Sequence, residues 1–78
     1  MPVRRFKVLI ECDTEHEAWV TYVPALDHLS TFGVTREEAL EKTREAILGY
    51  LEAASKEGIP VPAEVSVAEL VDVEVAVA

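Results

Sequence analysis

The side chains with intrinsic reactivity are few: Cys12, His16, His28, and two carboxylates one residue apart, Glu11 and Asp13. A thiol next to an imidazole is the minimum for nucleophilic attack, and a closed zinc site normally takes four ligands. Neither pattern is met. Cys12 ends an alternating apolar run, where cysteine usually behaves as a small hydrophobe, and the histidines fall in separate polar loops without ligand spacing. Glu11 and Asp13 invite comparison with a metal-dependent nuclease, whose phosphoryl chemistry needs several carboxylates around divalent cations. No matching acidic set recurs on the following strands or on the core stripe of the helix, so the two read as solvated strand-end carboxylates. The expectation is no catalytic residue, no metal and no cofactor.

The elements that carry these residues follow from apolar periodicity. Phe6, Val8, Ile10 and Cys12 alternate with Arg5, Lys7, Leu9 and Glu11, a half-buried strand with the first set facing the core. Residues 13–17 are polar and aperiodic, which predicts a hairpin loop. Ala18, Val20 and Tyr22 then alternate with Trp19, Thr21 and Val23 until Pro24, which cannot donate to a ladder. Either side of this second strand can face the core. If Val20 does, Trp19 points outward. Residues 24–28 form a loop, and Leu29 to Phe32 is a short third strand ended by Gly33. Three strands with short connections make an antiparallel meander.

At Thr35 the period changes. Thr35 and Glu38 have capping-box spacing, with the Thr35 hydroxyl accepting from the Glu38 amide and the Glu38 carboxylate reaching back to the Thr35 amide. Ala39, Leu40, Thr43, Ile47, Tyr50, Leu51 and Ala54 lie on one stripe, predicting a continuous helix over 36–57 closed by Gly58. Gly49 inside it costs about 1 kcal/mol relative to alanine and reads as a site of close approach by a strand or second subunit. Ile59-Pro60-Val61-Pro62 is stiff and extended. Residues 63–69 are ambiguous. Val71, Val73, Val75 and Val77 alternate with Asp72, Glu74 and Ala76, predicting a final strand. The fold class is therefore α+β, a single domain over 1–78 in the order β-β-β-α-β. The long helix lies on one sheet face, and an apolar patch left on the other face would mark an interface.

With 78 residues the core is marginal, and a single cysteine rules out an internal disulfide, so oligomerisation is the expected supplement. A formal net charge of −8 opposes contact with a nucleic-acid backbone and suits a basic protein partner. The amino terminus has no signal-peptide pattern and no run reaches membrane-span length, which predicts a cytoplasmic protein. The chain has no Asn or Gln and is rich in Glu, Ala and Val, as in heat-adapted proteins, so a thermophilic origin is expected.

Val23-Pro24-Ala25-Leu26, the run from Ser30 through Gly33-Val34-Thr35 to Glu38-Ala39-Leu40, the pair Glu45-Ala46, and Ile59-Pro60-Val61-Pro62 together resemble the HicB family of antitoxins. The resemblance covers nearly the whole chain. One departure is Asp27-His28-Leu29, where the family often has Pro-Gly-Cys after Pro-x-Leu. The resemblance implies a partial RNase-H-like domain, not an enzyme, that forms a homo-oligomer, dimer or tetramer, and neutralises a small basic RNA-cleaving toxin of the HicA type. Many members continue into a DNA-binding module. This sequence stops at Ala78, so no direct DNA binding is expected, nor any membrane contact. Trp19, Thr21, Val23, Asp27 and His28 are the candidate partner or subunit contacts. The competing expectation is a self-associating structural or small-ligand-binding module with no toxin.

Overall fold

The computed structural model describes residues 3–61 and 69–77. Strands β1 (Leu9–Asp13), β2 (Ala18–Val23) and β3 (Leu29–Gly33) form an antiparallel sheet in the order β1-β2-β3, followed by helix α1 (Arg36–Glu57). The order of the meander and the 22-residue helix are those the periodicities predict, but β1 begins only at Leu9 and runs on to Asp13: residues 3–8, which share the alternation, have no ladder partner among the described residues and form an arm before the strand. Thr14–Glu17 joins β1 to β2. Asp13 shapes this turn: Oδ1 accepts from the amides of Glu15 (3.1 Å) and His16 (3.2 Å), and Oδ2 lies 2.8 Å from His16 Nδ1. The His16 ring, then the His16 amide, hold the Asp13 carboxyl below its ordinary range. Between β2 and β3, Pro24–Leu26 forms one 3₁₀ turn that buries Leu26, and Asp27 and His28 both adopt left-handed backbone (φ 55° and 57°). This pair reverses the chain between β2 and β3.

The register decides which residues share a face. Ile10, Thr21 and Thr31 lie abreast, as do Cys12, Trp19 and Gly33, with Val23 opposite Leu29. Helix α1 packs on this face, where Thr21 and Val23 are 0% exposed. The arrangement with Val20 beneath the helix and Trp19 pointing outward is therefore not the one formed. Small side chains explain the choice. Ala39, Thr43 and Ala54 are the buried positions of α1, and Gly33 on β3 has no Cβ to hold the helix away. Thr43 Oγ1 donates to Ala39 O at 2.7 Å and lies 2.5 Å from Thr21 Oγ1 and 3.0 Å from Thr31 Oγ1. Three hydroxyls thus join helix to sheet, and the described buried side-chain polar atoms all have partners.

At the start of α1, Thr35 Oγ1 accepts from the Glu38 amide (3.0 Å) as the capping pattern predicts. The reciprocal bond is displaced by one residue. Glu38 Oε1 accepts from the amide of Val34 at 3.1 Å, where the spacing predicted Thr35. That amide, with Lys42 Nζ at 3.5 Å, holds the Glu38 carboxyl below its ordinary range. Gly58, at φ 68°, ends the helix, and the Ile59 amide donates to Ala54 O at 2.8 Å.

Two expectations are not met within the described chain. Gly49 is exposed, and no atom lies within 4 Å of where its Cβ would stand, so no strand of the described chain approaches it. Gly49→Ala should raise stability by about 1 kcal/mol through helix propensity. For a domain of this size that is a rise of roughly 4–8 °C in Tm by thermal circular dichroism. A fall would mean that another molecule covers this position. The second concerns the final strand. Residues 69–77 carry no ladder within the described chain and are exposed throughout. A valine alternation specifies which side chains share a face, but a strand exists only when an edge supplies hydrogen-bond partners. Pro62 and the ambiguous 63–68 stretch lie outside the described residues.

Candidate interaction surface

The structure does not gather the five candidate contact residues into one patch. Thr21 and Val23 are buried beneath α1, Thr21 by its hydroxyl bonds and Val23 by packing. Trp19 shares their face but is half-buried, at the end of β2 beside the β1–β2 turn. Asp27 and His28 are exposed at the opposite end of the sheet. At about 3.3 Å per strand residue, Trp19 and Val23 alone are separated by roughly 13 Å. One contact could engage either end, and neither Thr21 nor Val23 is accessible to it.

The reactive residues are equally dispersed. Cys12 lies on the helix-facing side by register yet is exposed, because α1 lies over β2 and β3 and does not extend over this end of β1. His16 is committed to Asp13, His28 lies in the other turn, and Glu11 projects from the opposite face. Among the described residues no three His, Cys, Asp or Glu side chains are grouped as metal ligands.

What the fold leaves open is apolar surface, with Arg4 and Arg44 at the groove and acidic side chains elsewhere on the solvent side of α1. Between the arm preceding β1 and α1 runs an open groove of ≈ 740 Å³, with Phe6 and Val8 on one wall and Leu40, Ile47, Leu48 and Leu51 on the other. On the far side of the sheet, Leu9, Val20 and Tyr22 are half-buried and Phe32 is 66% exposed. Lys42 Nζ stands 5.6 Å from the Phe32 ring centroid, a cation–π contact at the β3 edge. Along the solvent side of α1, Glu41 and Glu52 pair with Arg44 (3.9 Å) and Lys56 (3.5 Å), whereas Glu37, Glu45 and Glu57 make no ion pair with the described residues. Such exposed pairs contribute little to stability, so these acids are available to shape the field of the surface.

A family model described as the HicB-like antitoxin of bacterial toxin–antitoxin systems matches residues 6–75. The chain belongs to this family. The match runs from Phe6 in the arm before β1 to Val75 in the valine alternation, so it includes the groove wall and most of the exposed tail. No curated protein and no solved structure matches the chain. Membership in a HicB-like antitoxin family implies a toxin partner in general terms and a role in binding. No described helix is long and apolar enough to cross a membrane.

Sequence patterns missed three features of this HicB-like surface. Leu26 reads from sequence as a loop residue and is a core anchor, signalled only by its following a strand-ending proline. The Thr21–Thr31–Thr43 cluster was legible one residue at a time but not as a unit. The groove depends on how far the helix extends over the sheet, which periodicity does not encode.

Proposed function

We propose that this chain is a non-enzymatic antitoxin that binds a small basic RNA-cleaving toxin of the HicA type and covers its RNA-binding surface, acting in the cytoplasm as a homo-oligomer. The observation that carries the reading is the family match over residues 6–75 on a chain of net charge −8. A toxin that grips RNA needs a positive surface, and a negative partner competes for that surface while accelerating encounter. Glu37, Glu45 and Glu57 on α1 supply exposed charge for such docking, and the Asp27-His28 turn and Trp19 are proposed as flanking contacts.

Mixing the chain with a basic RNA-cleaving toxin from the adjacent gene should suppress RNA cleavage at a stoichiometric ratio. Replacing Glu37 and Glu45 by Lys should slow association severalfold and flatten its salt dependence. Undiminished cleavage with excess chain, or no complex at micromolar concentration, would exclude the antitoxin role. The open apolar groove favours a second reading, self-association without a toxin, in which the oligomer forms and cleavage is unaffected.

A further inference from the structure

We propose that residues 70–77 of one copy add as a fourth strand to the open edge of β1 and its preceding arm in a second copy, an exchange of C-terminal strands between two chains. The inference rests on the self-association part of the reading above and is independent of any toxin. Val71, Val73, Val75 and Val77 are between 65% and 87% exposed, an apolar row that a lone chain leaves in water. Strand β1 pairs only with β2 among the described residues, so its other edge presents unpaired amides and carbonyls. Within one chain Glu69 and Leu70 lie beside Lys7, Val8 and Leu9 around a common pocket, yet residues 69–77 form no ladder with that edge and leave it open to another copy. Beyond Leu70 every described residue is exposed. The radius of gyration is 15.1 Å, against about 11.5 Å for a compact chain of this length, and the longest extent is 52 Å.

Charge selects the occupant. Along the arm, Phe6 and Val8 are half-buried toward the groove while Arg5 and Lys7 are exposed on the alternate side. Along the tail, valines alternate with Asp72 and Glu74. Pairing that points the valines to the helix side closes the apolar groove, and the same register sets Asp72 and Glu74 on the side of Arg5 and Lys7. The period of 2 makes these requirements agree in either strand direction. None of Arg5, Lys7, Asp72 and Glu74 has an ion-pair partner among the described residues. A second copy therefore brings both the missing apolar cover and the missing countercharge, locally offsetting the repulsion between two chains of net charge −8. Reciprocal exchange about a two-fold axis satisfies both edges at once.

Light scattering on the full chain at micromolar concentration should return twice the chain mass of 8.6 kDa. Val73→Ser with Val75→Ser should raise the dimer dissociation constant by roughly 100-fold, about tenfold per apolar side chain left in water, with the helical circular dichroism retained. Arg5→Glu with Lys7→Glu should also weaken the dimer, and adding Asp72→Lys with Glu74→Lys should restore it. A monomeric wild type, including one whose tail amides are protected within its own chain, overturns the proposal. So does a dimer indifferent to the serine substitutions, or a charge swap that fails to rescue. A dimer that meets all three criteria yet ignores the toxin refutes the antitoxin role and leaves strand exchange standing.

Discussion

Gly33→Ala is expected to lower the thermal midpoint by roughly 8–24 °C, a large effect for a single added methyl group. A Cβ at this position would stand 2.6 Å from the Ala39 nitrogen and 3.0 Å from both Ala39 Cα and the Glu38 carbonyl carbon. All three are backbone atoms of the first turns of α1, and the Ala39 amide is held by Thr35 O at 3.0 Å. Relief therefore requires the helix to lift from β3, because no side chain can rotate away. Overpacking of a tight contact costs about 1–3 kcal/mol, and more when backbone must move. A domain of this length has roughly 4–12 kcal/mol of total stability, so the upper part of that range approaches loss of fold. At about 4–8 °C per kcal/mol, a loss near 2–3 kcal/mol gives the stated shift. The measurement is thermal circular dichroism at matched protein concentration, since self-association raises the apparent midpoint. A variant melting within a few degrees of the wild type would show that helix and strand do not approach this closely.

Thr43→Val is expected to destabilise the chain by about 1–3 kcal/mol, while the triple replacement of Thr21, Thr31 and Thr43 by Val is expected to cost less than that single change. The shape of the side chain is retained, so the effect isolates the hydroxyl. Thr43 Oγ1 gives its proton to Ala39 O and accepts at its lone pairs from Thr21 and Thr31. Its removal leaves two donors facing a methyl group. Thr31 Oγ1 can turn toward Ala39 O at 3.4 Å, whereas Thr21 is fully buried and keeps only Thr31 Oγ1 (3.1 Å) and Thr31 O (3.4 Å) as acceptors. Replacing all three removes every donor that needs an acceptor, which is why the combined change is milder. Chemical denaturation of the single, double and triple variants measures the coupling directly. Additive losses across the series would mean that the hydroxyls act independently.

The two effects share a cause. Beside the buried Val23 and Leu26, helix and sheet meet through glycine, alanine and threonine, so this part of the contact is close and depends on single atoms. The larger apolar side chains, Phe6, Val8, Leu40, Ile47 and Leu51, line the groove that the helix leaves open. That division places the rigid contact over β2 and β3 and the unfinished contact over β1. The proposed strand exchange would complete the second without disturbing the first.

Much of this could be read without coordinates. Alternation of period 2 placed the three strands, Pro24 and Gly33 punctuated them, and the Thr35–Glu38 spacing with Gly58 bounded the helix at both ends. These are local rules, since each depends on backbone preferences and caps within a few residues. The family was legible in a different way, by the resemblance of an ordered set of motifs to HicB-like antitoxins, which the family match over residues 6–75 bears out.

By itself, then, the sequence determined the elements, their order and the family. Tertiary structure alone decided which face of β2 lies under the helix, because both faces carry apolar side chains and only the fit of Thr21, Gly33 and Ala39 against α1 distinguishes them. It also decided that Thr21 and Val23 are interior and that no described residue covers Gly49. The valine alternation made no strand in the described chain for the same physical reason: a pattern orients side chains along one segment, whereas a ladder and a buried face need a second surface at a particular distance.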